Sequence, residues 1–356
     1  MTLSPDPVGS PVPSGLGPHC VGLRVVVRSV LRGRQGPSGG PALTDVLGVM
    51  ESWTDTTTTV RREDGTVVEV ARADVVAGKP VPPRPSVRLR VPVAYAEQRA
   101  ADCWPPLESA RVGEWLLRAS AGFSARANSA LLVGDPGLSV DAALAEVEAF
   151  YAARGLPVWA QAVAGSVERE QLDERGWVTA RPGEADTAFL LTGAGRALRL
   201  LGRERTGGDA APTVLLTERA TPDWLAGDPR ALASPDAALG VLEGPEEVVF
   251  ARVPSGSPDG GTSRTGSAPA LAAGRAALTR TPADTWVGVT DVRVAPEHRR
   301  RGLASTVLRE LLGWAAERGA TTAYLQVRED NAAALALYRR LGFEPHHSYA
   351  YRRPPG

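Results

Sequence analysis

DVRVAPEHRRRGLA, at residues 291–304, joins a β-type run to a helix through a turn of three arginines. Free backbone N–H groups and the positive end of the helix dipole converge at such a turn, which favours a bound anion. Gly302 and Ala304 leave room for a phosphate to approach the main chain. The spacing matches neither GxxxxGK followed by Ser or Thr nor GxGxxG, so a nucleoside triphosphate and a dinucleotide are disfavoured. The stretch predicts a site for the pyrophosphate of another cofactor.

The pattern around this stretch occurs twice in the chain. From Gly302 to Gly342 a helical run is followed by a short strand and a second helix, over 40 residues. From Gly137 to Gly176 the same order recurs over 39 residues. A duplicated α/β unit is the simplest account of this repeat.

Two motifs in the second copy resemble the GNAT N-acetyltransferase superfamily. Arg299-x-x-Gly302-x-Ala304 is similar to its acyl-coenzyme A pyrophosphate loop, Q/R-x-x-G-x-G/A, and NAAALALYRRLGF at 331–343 is similar to its last helix. The resemblance covers about residues 95–356 and is specific only over 291–343. It implies direct transfer of an acetyl group from acetyl-coenzyme A to an amine, in a ternary complex.

The resemblance also implies site residues. Loop amides hold the pyrophosphate, the preceding strand pairs with the pantetheine arm, the helix asparagine touches the cofactor, and a tyrosine protonates the leaving thiolate. The implied cofactor residues are Val292, Val294, Arg299, Arg300, Arg301, Gly302, Leu303, Ala304, Asn331 and Tyr338.

Catalysis is assigned to Tyr338 as general acid and to Asp291 as the nearest candidate base, with Glu297 and Glu344 behind it. Helical geometry agrees, because Asn331 and Tyr338 are seven residues apart and project from one face.

The predicted fold class is α+β, with a small N-terminal SH3-like β-barrel followed by two GNAT-like mixed α/β units, the second catalytic. Short β-type runs and the turn at Asp64-Gly65 indicate the barrel. This layout resembles an actinobacterial, histone-acetyltransferase-like group of tandem GNAT proteins. The predicted segments are a disordered tail at 1–21, the barrel at 22–81, a Pro-rich linker at 82–94, a degenerate unit at 95–192, a linker at 193–211 and the catalytic domain at 212–356.

The first copy departs from the motif. GDPGLS at 134–139 lacks the arginine and carries an acid where phosphates would lie, and Leu172 stands at the position of Tyr338. We expect this copy not to be catalytic. Arg118, Arg126 and Asn128 either line an acceptor cleft between the copies or cap turns and pair strands.

Composition restricts the remaining functions. The 40 basic and 40 acidic residues balance, so nucleic acid is an improbable partner of the whole chain, and no apolar run of membrane-spanning length occurs. Two distant cysteines and four histidines signal neither a disulfide framework nor a metal, and a cytoplasmic location is expected. We interpret His346 and His347 as structural, because adjacent strand residues face opposite sides.

Two other functions stay open at this point. The protein is a sensor or scaffold that binds acyl-coenzyme A without turnover, or its barrel recruits nucleic acid through Arg24, Arg28, Arg32 and Arg34. The residues decide neither the amine acceptor, a small molecule or a protein, nor the oligomeric state.

Reversing the charge at the pyrophosphate loop should abolish cofactor binding. Calorimetric titration of the intact protein with acetyl-coenzyme A and with coenzyme A should show one tight site, which Arg299→Glu loses because the phosphates then meet a carboxylate. Absence of binding by the intact protein would reduce the Gly302 loop to a plain strand-to-helix turn.

Overall fold

The computed structural model describes residues 15–36, 39–62, 64–81, 87–203, 212–255 and 269–355. The chain divides into two compact units, Met1–Pro85 and Ser86–Gly356. Among helices in the described ranges, none combines the length and apolar character that crossing a bilayer requires.

The N-terminal unit is a small barrel-like antiparallel sheet, which confirms the predicted domain type. Its strands are β1 (Arg24–Gln35), β2 (Pro41–Trp53), β3 (Thr57–Arg61), β4 (Val67–Ala71) and β5 (Val75–Pro80). They are ordered β4-β3-β2-β1-β5. Alternate residues face inward, and the side chains of Val25, Val27, Met50 and Val60 are completely buried. Gly65 adopts φ 88°, as the tight turn between β3 and β4 requires.

The ends of this domain differ from the predicted boundaries. Residues 1–14 of the predicted tail lie outside the described residues, but Leu16 and Cys20 are buried in the barrel core. Leu16 packs where a Cβ on Gly78 would clash at 2.1 Å. Lys79 and Pro80, inside the predicted barrel range, extend β5 and pair with β1. Of the predicted linker at 82–94, residues 82–86 lie outside the described part, and a helix begins at Val93.

Two of the four arginines in the basic cluster of the barrel are paired with carboxylates. Arg28 pairs with Asp45 at 2.8 Å, and Arg32 pairs with Asp74 at 2.8 Å. These pairs weaken the electrostatic argument for nucleic acid at this surface.

The larger unit is one mixed sheet covered by helices. Its strands are β6 (Glu108–Val112), β7 (Trp115–Ala119), β8 (Ala130–Leu132), β9 (Ala160–Val163), β10 (Val178–Thr179), β11 (Thr187–Gly193), β12 (Leu215–Thr217), β13 (Val248–Val253), β14 (Ala272–Arg280), β15 (Thr285–Val294), β16 (Thr322–Arg328) and β17 (Glu344–Arg353). Its helices are α1 (Val93–Cys103), α2 (Val140–Ala152), α3 (Val167–Glu174), α4 (Ala194–Arg203), α5 (Pro222–Leu225), α6 (Pro229–Ala233), α7 (Pro235–Leu242), α8 (Leu303–Glu317) and α9 (Ala332–Arg340).

The sheet shows the duplication directly. Its order is β12-β13-β14-β15-β16-β11-β17-β9-β8-β7-β6, with β10 beside β17. Neighbours are antiparallel except for two parallel pairs, β15 with β16 and β8 with β9. Helix α8 connects the first pair and α2 connects the second, so each copy contains one βαβ crossover.

The two copies exchange their last strands. Strand β11, which ends the first copy, lies between β16 and β17 of the second. Strand β17, which ends the second copy, pairs with β9 of the first. The predicted linker at 193–211 therefore separates the two copies in the sequence, but both copies belong to one continuous sheet.

The predicted linker at 193–211 is helical in its first half. Ala194, Ala197 and Leu201 of α4 are completely buried in the core that α8 also joins. Their spacing of three or four residues places them on one helix face, which the surrounding glycines and arginines obscure in the sequence. Residues 204–211 lie outside the described part.

Gly288 should tolerate no side chain. It is buried in β15, and an added Cβ would lie 2.3 Å from the Tyr324 hydroxyl, whose ring is fixed by stacking on Phe189. We expect Gly288→Ala to lower the free energy of unfolding by about 1–3 kcal/mol in urea denaturation.

Gly313 provides the matched control, because an added Cβ there meets open space within α8. Gly313→Ala should raise the free energy of unfolding by about 0.5–1 kcal/mol. If Gly288→Ala had the same free energy of unfolding as the wild type, the side chains of β15 and β16 would have to pack differently from this arrangement.

Candidate active site

The strands β15 and β16 separate halfway along their length. Their parallel pairing runs from Trp286 beside Thr322 to Val289 beside Leu325, and no later pair forms within the described residues. On the other side of β15, its register with β14 shifts between Thr290 and Arg293, which marks a β-bulge. Asp291 lies in this bulge with φ 51°, a left-handed conformation that few non-glycine residues adopt.

A cavity of about 650 Å³ fills the gap between the separated strands, and we call it the first cavity. It is lined by Val289, Thr290, Asp291, Val292, Leu325, Gln326, Val327, Arg328, Asp330, Asn331, Ala334 and Tyr338. Its size suits a small-molecule ligand. The predicted residues Asp291, Val292, Asn331 and Tyr338 thus meet at one place, whereas Val294 and residues 299–304 do not line it.

Helix α9 presents Asn331 and Tyr338 to the first cavity. The Asn331 Oδ1 accepts a hydrogen bond from the Ala334 N–H at 3.1 Å, so this side chain also caps the helix. Tyr338 is 7% exposed and lies edge-on to Phe343. Burial raises the pKa of the Tyr338 phenol to about 12, so the hydroxyl stays protonated at neutral pH and can donate a proton.

The loop after β15 presents main-chain donors. Arg300 and Gly302 have φ 65° and 77°, and α8 begins at Leu303 without a side-chain cap. The amides of Leu303 and Ala304 therefore have no acceptor within their own helix. Two left-handed residues before a helix N-terminus form a concave arrangement that suits an anion.

The arginines of this loop, Arg299, Arg300 and Arg301, are exposed. Within the described part of the chain, none of them forms an ion pair with a carboxylate. Their charge is therefore available to a ligand.

Asp291 is the carboxylate at the bulge. Its Oδ1 accepts a hydrogen bond from Arg230 Nη2 at 2.6 Å, and Arg230 also pairs with Asp228. Its Oδ2 is buried and has no hydrogen-bond partner in the described residues. Of the other two acids considered, Glu344 pairs with Arg196 and Glu297 is 68% exposed, and neither lines a cavity described here.

A smaller cavity of about 270 Å³, the second cavity, adjoins the first. The two share Thr290, Asp291, Gln326 and Arg328. The rest of the second cavity is formed by Trp104, Ser124, Ala125, Arg126, Arg181, Thr187, Arg230, Tyr349 and Tyr351. Both copies and the exchanged strand β17 therefore contribute to its wall.

The structure separates the three candidate cleft residues of the first copy. Arg126 lines the second cavity. Arg118 is 1% exposed and donates hydrogen bonds to the Ser129 carbonyl and to Gln161. The Asn128 amide binds the main chain of the turn that starts at Ser120. Arg118 and Asn128 are therefore structural.

Gln326 was missed by sequence reasoning. It lines both cavities, and both Nε2 and Oε1 are buried without a partner in the described residues. Its only sequence signal is an amide in the apolar strand TAYLQVR. A buried unsatisfied amide is costly, so a ligand at this junction has a group to bind.

In the first copy, carboxylates of the chain occupy the corresponding loop. Glu114 Oε2 accepts a hydrogen bond from the Asp135 N–H at 2.6 Å, and Glu168 Oε1 accepts one from the Gly134 N–H at 3.2 Å. Asp135 itself binds the Gly137 N–H. Leu172 is buried in the core. Negative charge and satisfied amides leave little place for a phosphate here.

His346 and His347 do not face opposite sides of their strand, so the reason given for interpreting them as structural was wrong. A register shift in β17 at this point brings their Nδ1 atoms to 2.7 Å. His346 Nε2 lies 2.9 Å from the Val91 carbonyl, and His347 Nε2 lies 2.8 Å from Glu97. These contacts connect β17 to α1. No group of three or more metal-ligating side chains occurs in the described ranges.

Comparison with known proteins gives two family matches. The model described as "Probable histone acetyltransferase Rv0428c C-terminal" matches residues 93–352, and the one described as "Rv0428c N-terminal Sm-like domain" matches residues 19–79. The probable histone acetyltransferase Rv0428c of Mycobacterium tuberculosis is 33% identical over 337 residues, covering 93% of this chain and 94% of that protein.

One further curated relative and one solved structure are similar to this chain. The uncharacterized N-acetyltransferase YobR of Bacillus subtilis is 29% identical over 257 residues, covering 72% of this chain and 96% of that protein. A GCN5-related N-acetyltransferase structure from Kribbella flavida aligns with a TM-score of 0.49 at 18% identity, covering 74% of this chain and 95% of that chain.

Removing the arginine that neutralises Asp291 should destabilise the larger unit. Arg230→Met leaves the Asp291 carboxylate, whose side chain is 11% exposed, without its cation. We expect a loss of about 1–3 kcal/mol in the free energy of unfolding, partly recovered by adding Asp291→Asn.

Arg280→Met is the control, because Arg280 is similarly exposed but pairs with Glu247, whose side chain is 33% exposed. Arg280→Met should lower the free energy of unfolding by less than about 1 kcal/mol. Equal losses in the two variants would show that Asp291 does not depend on Arg230.

Proposed function

The chain belongs to the family defined by the Rv0428c N-terminal and C-terminal domains and is a tandem GNAT N-acetyltransferase, and from this premise we propose how its second copy acts. The copy transfers an acetyl group from acetyl-coenzyme A to an amine while both are bound. The observation that carries this proposal is the first cavity, which lies between the separated strands and is lined by a protonated tyrosine; a loop of free amides follows the same strand β15 in the chain.

The residues fit acetyl-coenzyme A. The edge of β15 after Val289 is unpaired toward β16 and can form main-chain hydrogen bonds with an extended pantetheine arm. The amides of Leu303 and Ala304, with Arg299 to Arg301, are suited to hold the pyrophosphate at the start of α8. The Nδ2 of Asn331 remains available beside the arm, because only its Oδ1 caps α9.

Each step of the transfer is then assigned to a group of the chain. Acetyl-coenzyme A supplies an acetyl group activated as a thioester. A main-chain N–H of residues 292–294 stabilises negative charge on the acetyl oxygen during attack. The Tyr338 hydroxyl donates its proton to the departing sulfur, and the Asp291 Oδ2 accepts a proton from the attacking amine. Arg230 keeps the Asp291 carboxylate in place.

The first copy is proposed to be non-catalytic. Its loop amides already bind Glu114 and Glu168, and its buried Leu172 offers no proton. It acts in this proposal as a wall of the second cavity.

Replacing the proposed general acid should lower turnover without weakening cofactor binding. Tyr338→Phe keeps the ring against Phe343 but removes the hydroxyl, so kcat should fall about 10²- to 10³-fold while the acetyl-coenzyme A Kd changes less than about twofold. Release of coenzyme A and calorimetry measure the two quantities.

Tyr95→Phe is the matched control. Its hydroxyl bonds Asp284 and lines neither cavity, so kcat should be unchanged. Full turnover in Tyr338→Phe would contradict the assignment of the acid. A protein that binds acetyl-coenzyme A but acetylates no amine would instead be a sensor.

A further inference from the structure

We propose that the acceptor is a small amino acid-like molecule, a primary amine that also carries a carboxylate, and that Arg126 binds this carboxylate in the second cavity. This inference rests on the proposed function and specifies the substrate class of the same site. It follows from one cation without a carboxylate partner, the size of the second cavity, and two unsatisfied polar groups where the cavities meet.

Arg126 is the cation of the second cavity that has no carboxylate partner in the described residues, and its polar neighbour is the Tyr349 hydroxyl. Its guanidinium lies 5.5 Å from the centre of the Trp104 ring, and its Nε is buried without a hydrogen-bond partner. No carboxylate in the described part of the chain forms an ion pair with it. A partly buried guanidinium without an anion is costly, and a carboxylate on a ligand forms charge-assisted hydrogen bonds with it.

The other arginines of the second cavity are already compensated. Arg230 pairs with Asp228 and Asp291. Arg181 and Arg328 both pair with Glu184, at 3.1 and 3.3 Å. Binding of an anion is therefore directed to Arg126.

The second cavity limits the size of the acceptor. Its volume of about 270 Å³ is below that of pockets that hold drug-sized ligands. Trp104 and Tyr349 are 3% and 1% exposed and form rigid walls with Tyr351. A single amino acid fits this description, with its side chain against the aromatic rings.

The junction of the two cavities suits an ammonium group. Asp291 Oδ2 and the Gln326 amide are buried and unpartnered where the two cavities meet. A carboxylate and an amide oxygen accept hydrogen bonds from an ammonium group, which then lies beside the thioester site. Arg126 and the junction of the two cavities thus match the two charged groups of an amino acid.

The same lining disfavours a lysine-rich peptide. Three of the four arginines around the second cavity are paired with carboxylates, but Arg126 is not, so additional positive charge on an acceptor is repelled there. A basic protein tail is therefore the competing outcome of the test.

The test uses the full-length protein with saturating acetyl-coenzyme A. Acceptors are α-, β- and γ-amino acids, each paired with its primary amide, together with a lysine-rich peptide. The amides keep the shape but lose the anion. Coenzyme A release gives kcat and KM for the wild type, Arg126→Met, Arg126→Lys and Arg154→Met. Arg154 also stacks on an aromatic ring, Phe150, but pairs with Glu108 and lines neither cavity.

We expect kcat/KM for at least one amino acid to exceed that of its amide by about 10-fold or more. Arg126→Met should lower this kcat/KM about 10- to 100-fold, mainly through KM, and remove the preference. Arg126→Lys should retain part of the preference for the amino acid over its amide, and Arg154→Met should retain all of it. The partial rescue by lysine separates binding of the anion from a structural role, even if the methionine variant is unstable.

The proposal is overturned if amides equal their amino acids, if the peptide is the better acceptor, or if no amino acid is acetylated. Calorimetry with acetyl-coenzyme A on the same preparations distinguishes failure of the proposed substrate class from failure of the proposed function. Retained binding with acetylation of the peptide overturns only the substrate class. Absence of acetyl-coenzyme A binding overturns the proposed function as well.

Discussion

The separation of β15 and β16 after Val289 and Leu325 is the feature on which the site depends. A parallel pair that continued would satisfy its own main-chain groups and leave no gap. The β-bulge at Asp291 bends β15 away and turns its carboxylate toward the cavities. The first cavity and the unpaired strand edge both follow from this local irregularity.

The exchange of terminal strands makes the first copy an integral part of the larger unit. Strand β17 leaves the second copy to pair with β9, and it carries Tyr349 and Tyr351 into the wall of the second cavity. The first copy contributes Trp104 and Arg126 to the same wall. Neither copy completes the second cavity alone, because its lining residues come from both.

Local patterns in the sequence predict much of the fold but not its long-range pairing. Apolar spacing and the glycines at 302 and 342 mark α8 and α9, and the repeat reveals the duplication. The apolar run of β11 is compatible with many neighbours, so its insertion between β16 and β17 is not encoded locally. The bulge depends on the register with β14. In the described residues the Arg126 Nε and the Gln326 amide lack hydrogen-bond partners, and this depends on the packing of elements far apart in the sequence.

The most direct test of this account is hydrogen exchange of the full-length protein with and without saturating coenzyme A, followed by mass spectrometry of peptides. Exchange should slow over residues 290–305, where the free edge of β15 and the amides of α8 bind the ligand, and stay unchanged over 134–139. Unchanged exchange over 290–305, or slowing at 134–139 instead, would contradict the claim that the separated strands of the second copy hold the cofactor.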